Sequence, residues 1–178
     1  MNLVAASYIA LALLAHPAAA ETLAEGIIAE YQADCVATIE SQMDPTVYED
    51  PAGQIRLTVN PASVYELDLG TKGTKATVVF ADFNCPSFGT IWCGSGGCNT
   101  HIIVEGKVFG HFGGKPASVR DGSGRAILLL PAQGTACQNT GESPNRNAAP
   151  CIRTAVWDDF IEEFQVTGAY LHRRSGIE

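Results

Sequence analysis

Positive charge is what this chain has least of: 11 Lys and Arg stand against 19 Asp and Glu in 178 residues, a formal net charge of −8. A surface so poor in cations cannot neutralise phosphates, which disfavours nucleic acid and anionic lipid as partners. The shortage is uneven, because between Glu21 and Asp68 a single base, Arg56, faces ten carboxylates. That skew suits a cationic partner, although a solvated acidic face serves solubility equally well. Long apolar runs are missing after Ala15, so no later segment reads as a membrane span. Repeats and linker-like stretches are missing too, and residues 21–178 read as one domain, enough to bury ~68–70% of its unfolded surface.

What is present begins with an apolar run from Leu3 to Ala15, a proline break and "AAA" at 18–20. This pattern predicts a signal peptide over residues 1–20 with cleavage before Glu21, although the opening "MN" supplies no Lys or Arg. The run is shorter than the ~20 residues of a spanning helix. Export to the periplasm or beyond is the expected localisation.

Six cysteines follow, at 35, 85, 93, 98, 137 and 151. An even number in an exported chain reads as disulfides, since oxidising compartments form and keep them. Cys137 and Cys151 bracket the polar run "QNTGESPNRNAAP", and closing a loop of that size is worth about 3 kcal/mol in the chain-entropy account. Cys93 with Cys98 and Cys35 with Cys85 complete the preferred set. Exchange among Cys35, Cys85, Cys93 and Cys98 stays open, because sequence alone does not choose between pairings.

Hydrophobic periodicity gives one helix and then strands. Leu23, Ile27, Tyr31, Cys35 and Ile39 recur every fourth residue, the stripe of an amphipathic helix that Asp44-Pro45 ends. "QIRLTVN" and "VYELDL" then alternate as half-buried strands do. The continuous runs "ATVVFADF", "HIIV" and "AILLL" predict central strands covered on both faces. "VEGKV" and "RDGSGR" carry hairpin turns, and "IRTAVW" and "EFQV" close the sheet. The expected class is α+β: an N-terminal amphipathic helix packed on a mainly antiparallel sheet and stapled by disulfides.

"WCGSGGC", residues 92–98, is the stretch with the most chemistry. It lacks the second cysteine and aromatic that papain-type nucleophile segments place after the serine, and the few histidines form no recognisable triad. Cys93, Cys98, His101 and His111 make a C-x4-C-x2-H-x9-H set with zinc-type ligands. Against this stand the wide cysteine spacing and the oxidising compartment. A staple is the leading reading, because glycines accept the tight turn of a short disulfide ring.

The succession "LDLGTKGTKATVVFADFNCPSFGTIWCGSGGCNTHIIV" with "GTAC" and "PCIRTAVWD" resembles a group of uncharacterised secreted bacterial proteins. These share a CG[ST]GGC core and an aspartate-rich, calcium-type DxNxDG turn. The resemblance implies export, a β-rich fold and disulfides, but no activity. Laid on that turn, Asp68 and Gly73 match, whereas Gly70, Lys72 and Ala76 stand at oxygen-ligand positions. Calcium needs six to eight oxygens, so no metal and no other cofactor is expected.

The functional expectation is therefore an exported, disulfide-stabilised binding domain with Trp92, Phe88 and His101 as candidate contact surface, or the acidic N-terminal half in that role. The alternative is a small hydrolase or a thiol- or metal-dependent enzyme using the Cys93 to His111 region.

Overall fold

The four-residue stripe produces helix α1, His16–Gln42. It reaches back beyond Leu23, the first residue of the stripe, because "HPAAAE" pairs a proline in the first turn with alanines, the strongest helix formers. The computed structural model describes residues 16–42, 55–70, 73–133 and 150–171. Most of the expected leader therefore lies outside the described residues, and its last positions, 16–20, belong to α1. Ala24, Ile27, Cys35 and Ile39 are buried, with Leu23, Ile28 and Tyr31 packed beside them. None of the described helices is long and apolar enough to cross a membrane.

Nine strands follow among the described residues, all paired antiparallel. Strands β1 (Val64–Leu69), β2 (Thr74–Phe80), β3 (Cys93–Gly94), β4 (Gly97–Val104) and β5 (Lys107–Gly113) form the first sheet. In it β2 and β3 pair along one edge of β4, and β5 takes the other edge. The second sheet runs in the order β6 (Ala117–Arg120), β7 (Ala126–Ala132), β8 (Cys151–Asp158), β9 (Glu163–Leu171). Glu105 and Gly106, with φ of 48° and 76°, make the two-residue turn joining β4 to β5. Such turns need positive φ at both positions, as "EG" provides.

Two cores divide the apolar residues by strand parity. Val79, Ala81, Phe83 and Ile103 face α1, whereas Ala76, Val78, Ile102 and Val104 face Leu128, Ala155 and Trp157 of the second sheet. The continuous runs in β2 and β4 thus mark a middle layer covered on both sides. "AILLL" does not behave this way. In β7, Ala126, Leu128 and Ala132 are buried, but Ile127 and Leu129 are only partly covered, because the second sheet is an outer layer.

"QIRLTVN" forms no strand. Thr58 makes an isolated bridge to Asn84, through Thr58 N to Asn84 O at 2.9 Å and Asn84 N to Thr58 O at 3.0 Å. Further back, the Gln32 side chain takes the place of a neighbouring strand: its Oε1 accepts from Leu57 N at 2.8 Å and its Nε2 donates to Ile55 O at 3.0 Å. Alternation still sets which side chains turn inward, with Ile55 buried and Leu57 and Val59 packed on the helix core.

Among the described residues, one disulfide ties helix to loop and one staples a hairpin within the first sheet. Cys35–Cys85 joins α1 to the segment after β2, and Cys93–Cys98 links β3 to β4. These are the preferred pairs, so the exchanged pairings are ruled out. Cys151 is buried and disulfide-bonded, while Cys137, its expected partner, lies outside the described residues.

Candidate functional site

Trp92, Phe88 and His101 do not form an exposed contact surface, because the segment after β2 folds Trp92 and Phe88 under α1 and His101 faces α1 from β4. Trp92 is only 9% exposed, and its indole Nε1 donates to Asp34 Oδ2 at 2.5 Å. Its ring meets Tyr31 and Phe83 edge-on, at centroid distances of 4.9 and 6.4 Å. Phe88 packs partly buried on the same core. His101 is half-buried with Nε2 2.9 Å from Tyr31 Oη. Burial lowers its pKa against the opposing pull of Glu30 and raises that of Tyr31. An apolar body with a satisfied polar tip is the usual form of a buried Trp, Tyr or His.

The zinc set is taken apart by the same geometry. Cys93 and Cys98 are oxidised to a disulfide, so neither offers a thiolate. His101 pairs in register with Gly110, and His111 pairs with Thr100, which puts the two imidazoles on opposite faces of the sheet. His111 Nε2 lies 3.1 Å from the Pro131 carbonyl. Among the described residues no group of three His, Cys, Asp or Glu is placed to hold a metal ion.

"WCGSGGC" is a stapled hairpin, and its glycines answer to backbone crowding. Gly97 has φ +123°, and a Cβ there would lie 2.0 Å from the backbone of Gly113. A Cβ on Gly113 would in turn meet the Pro131 carbonyl at 2.0 Å, so β4, β5 and β7 converge where side chains cannot fit. Ser95 sits at the hairpin tip, beside a cleft of about 430 Å³ shared with Pro131 and Cys151.

At the calcium-type turn, Gly70 and Gly73 keep left-handed backbone, with φ of 60° and 79°. Thr71 and Lys72 lie outside the described residues. Asp68 is held by cations of the chain itself: Lys75 Nζ at 2.6 Å and Arg120 Nη2 at 3.5 Å. The hydrogen bond and charge of Lys75, then Arg120, keep the Asp68 carboxyl below its usual pKa.

The cavity that sequence reading missed lies on the other flank of the helix. Tyr31 binds the middle of α1 to β4, and Asp34 and Cys35 bind it to the segment after β2. Toward its N-terminus, a cleft of about 940 Å³ opens between α1, β1, β2 and the turn after β4. Ala24, Ile28, Val64 and Ile103 give it apolar walls, and Glu21, Glu25, Glu66 and Glu105 are the carboxylates lining it. Its one base among the described residues, Lys75, is already paired with Asp68. The cleft is thus apolar in body and negative at its margin. One signal was available in the sequence: along the helix-facing parity, apolar Val79 and Ile103 give way to Thr77, Lys75, Glu66 and Asp68. Compared with family models, curated proteins and solved structures, the chain matches none.

Proposed function

We propose that this chain is an exported, disulfide-stapled binding domain, and that the cleft between α1 and the β1–β2 hairpin receives a ligand with an apolar body and positive charge. The observation that carries the reading is the 940 Å³ cleft itself, with apolar walls, four glutamates and its lysine neutralised from within. Binding sites of this size are mostly apolar with a few placed polar groups that set orientation and specificity. Export is supported by the disulfides, which persist in oxidising compartments, and by the resemblance of the CGSGGC core to secreted bacterial proteins. Cleavage before Glu21 removes only Ala20 from the residues lining the cleft.

The test uses a short peptide of alternating lysine and leucine and its glutamate–leucine counterpart, with binding followed by calorimetry. The lysine peptide should bind and weaken as salt screens the glutamates, and Glu25→Lys together with Glu66→Lys should abolish binding without lowering the melting temperature. Equal binding of both peptides, or indifference to the two substitutions, overturns the reading. Export is checked separately by the mass of the processed protein, which should begin at Glu21.

A further inference from the structure

We infer that the turn between β8 and β9 is a second part of the same recognition surface, and that the ligand is an extended cationic polypeptide reaching from the cleft onto Phe160. This rests on the cleft being the binding site. Phe160 is 93% exposed and Ile161 48%. An aromatic held in water on a rigid turn is pre-organised to act as an anchor, since little ordering remains to be done on binding.

The turn is rigid for reasons in its own sequence. In "WDDFIEEF", the Asp158 carboxylate accepts from Phe160 N at 2.9 Å and Ile161 N at 3.3 Å, and takes Gln165 Nε2 at 3.0 Å. Glu162 N closes the turn on Asp158 O at 2.9 Å. Two struts then fix it to the cleft wall. Thr74, which lines the cleft, donates Oγ1 to Asp159 Oδ1 at 2.9 Å. Lys107, next to cleft-lining Gly106, reaches both the carbonyl and the carboxylate of Glu162 at 3.1 Å. Phe160 therefore projects from a turn bolted to the mouth of the cleft.

Charge selects the occupant. Asp158, Asp159, Glu162 and Glu163 flank the two apolar side chains, and Lys107 pairs with Glu162. Thr74 and Lys107 tie the turn to the end of the first sheet that borders the cleft, so carboxylates stand on both sides of that end. A second copy of this chain, itself at −8, is repelled, as is an anionic bilayer. A small cation has no use for the apolar walls or for Phe160. A polypeptide with alternating basic and apolar side chains satisfies both features, and its length lets it span them.

The experiment compares two lysine–leucine peptides, one short enough for the cleft alone and one twice as long, against the full chain and Phe160→Ser. Phe160 has little packing to lose, so the variant should melt as the parent does. The long peptide should bind more tightly than the short one, and Phe160→Ser should cut its affinity about tenfold while leaving the short peptide unchanged. If both peptides bind alike and Phe160→Ser changes neither, the turn is no part of the surface although the cleft reading stands. If neither peptide binds, both are overturned.

Discussion

On the α1 side of the first sheet, the helix is held by a tyrosine–histidine hydrogen bond to β4 and, through the segment after β2, by an indole bound to Asp34 and a disulfide. Where that sheet meets the second sheet, the core is aliphatic side chains and a trio of rings: Phe109, Trp157 and Phe164 meet edge-on at 4.9 to 5.9 Å. The two faces differ because their partners do. A sheet layer is already ordered by its own ladders and needs only area to stay on its neighbour. A single helix has no ladder to register it, so discrete bonds fix its position. Those bonds lie at Tyr31, Asp34 and Cys35, while Ala20, Glu21, Ala24, Glu25 and Ile28, nearer the N-terminus, border the cleft.

Breaking the sheet-to-sheet side should have the largest effect. Trp157 is 3% exposed and touches both other rings of the trio. Trp157→Ala should cost toward the upper end of ~3–5 kcal/mol, through lost transfer energy and the cavity left behind. Urea titration checks this. A loss near the ~0.5 kcal/mol typical of surface changes would mean that the second sheet is not packed as described.

The staples sharpen the contrast on the helix side. Replacing Cys35 and Cys85 together by alanine opens a ring with a sequence separation of 50, against 5 for Cys93 and Cys98. In the chain-entropy account the first loss is about 4 kcal/mol and the second about 2 kcal/mol. The location should differ as well as the size. Without Cys35–Cys85, amide exchange should accelerate in α1 while the second sheet keeps its protection. Equal acceleration in both would show that the helix and sheets open as one unit, and the comparison would fail.

The layers were legible because burial leaves a direct imprint on residue order. Uninterrupted apolar runs in β2 and β4 match strands covered twice, although the similar run in β7 stands in an outer layer, and the every-fourth-residue stripe matches one face of a helix. "QIRLTVN" misled because alternation reports which side chains turn inward, not what pairs with the backbone between them. There the partner is the side chain of Gln32, 25 residues from Leu57. Trp92 misled for a related reason. Its loop context suggested exposure, but the Cys35–Cys85 bond draws that loop under the helix, and Asp34, one residue from Cys35, satisfies the indole. The cleft was hidden because α1, β1, β2 and the turn after β4 line it together, a property of several elements at once.

The smallest expected effect is one of pH, and it reaches both faces through one imidazole each. Burial lowers the pKa of His101, with Glu30 opposing, and lowers that of His111, where Arg153 adds to burial and the Pro131 carbonyl opposes. The unfolded chain takes up these protons near the ordinary value of about 6.5, whereas the folded chain resists until a lower pH. Stability is therefore full above about pH 6.5, falls as the pH drops below it, and stops falling once the folded imidazoles are protonated. Asp68 and Asp121 act further down, because their folded pKa values are lowered from an already acidic 3.8 by the partners Lys75 and Ser123. The decline between about pH 7 and about pH 5 thus belongs to the imidazoles. His101→Gln and His111→Gln should each remove part of that slope in melting temperature. Acidification of the parent should loosen α1 through His101, and His101→Gln should remove that local response while leaving the one near β5 and β7. A melting temperature flat across the interval would mean that neither imidazole is shielded from water, and the polar helix-side core would need a different account.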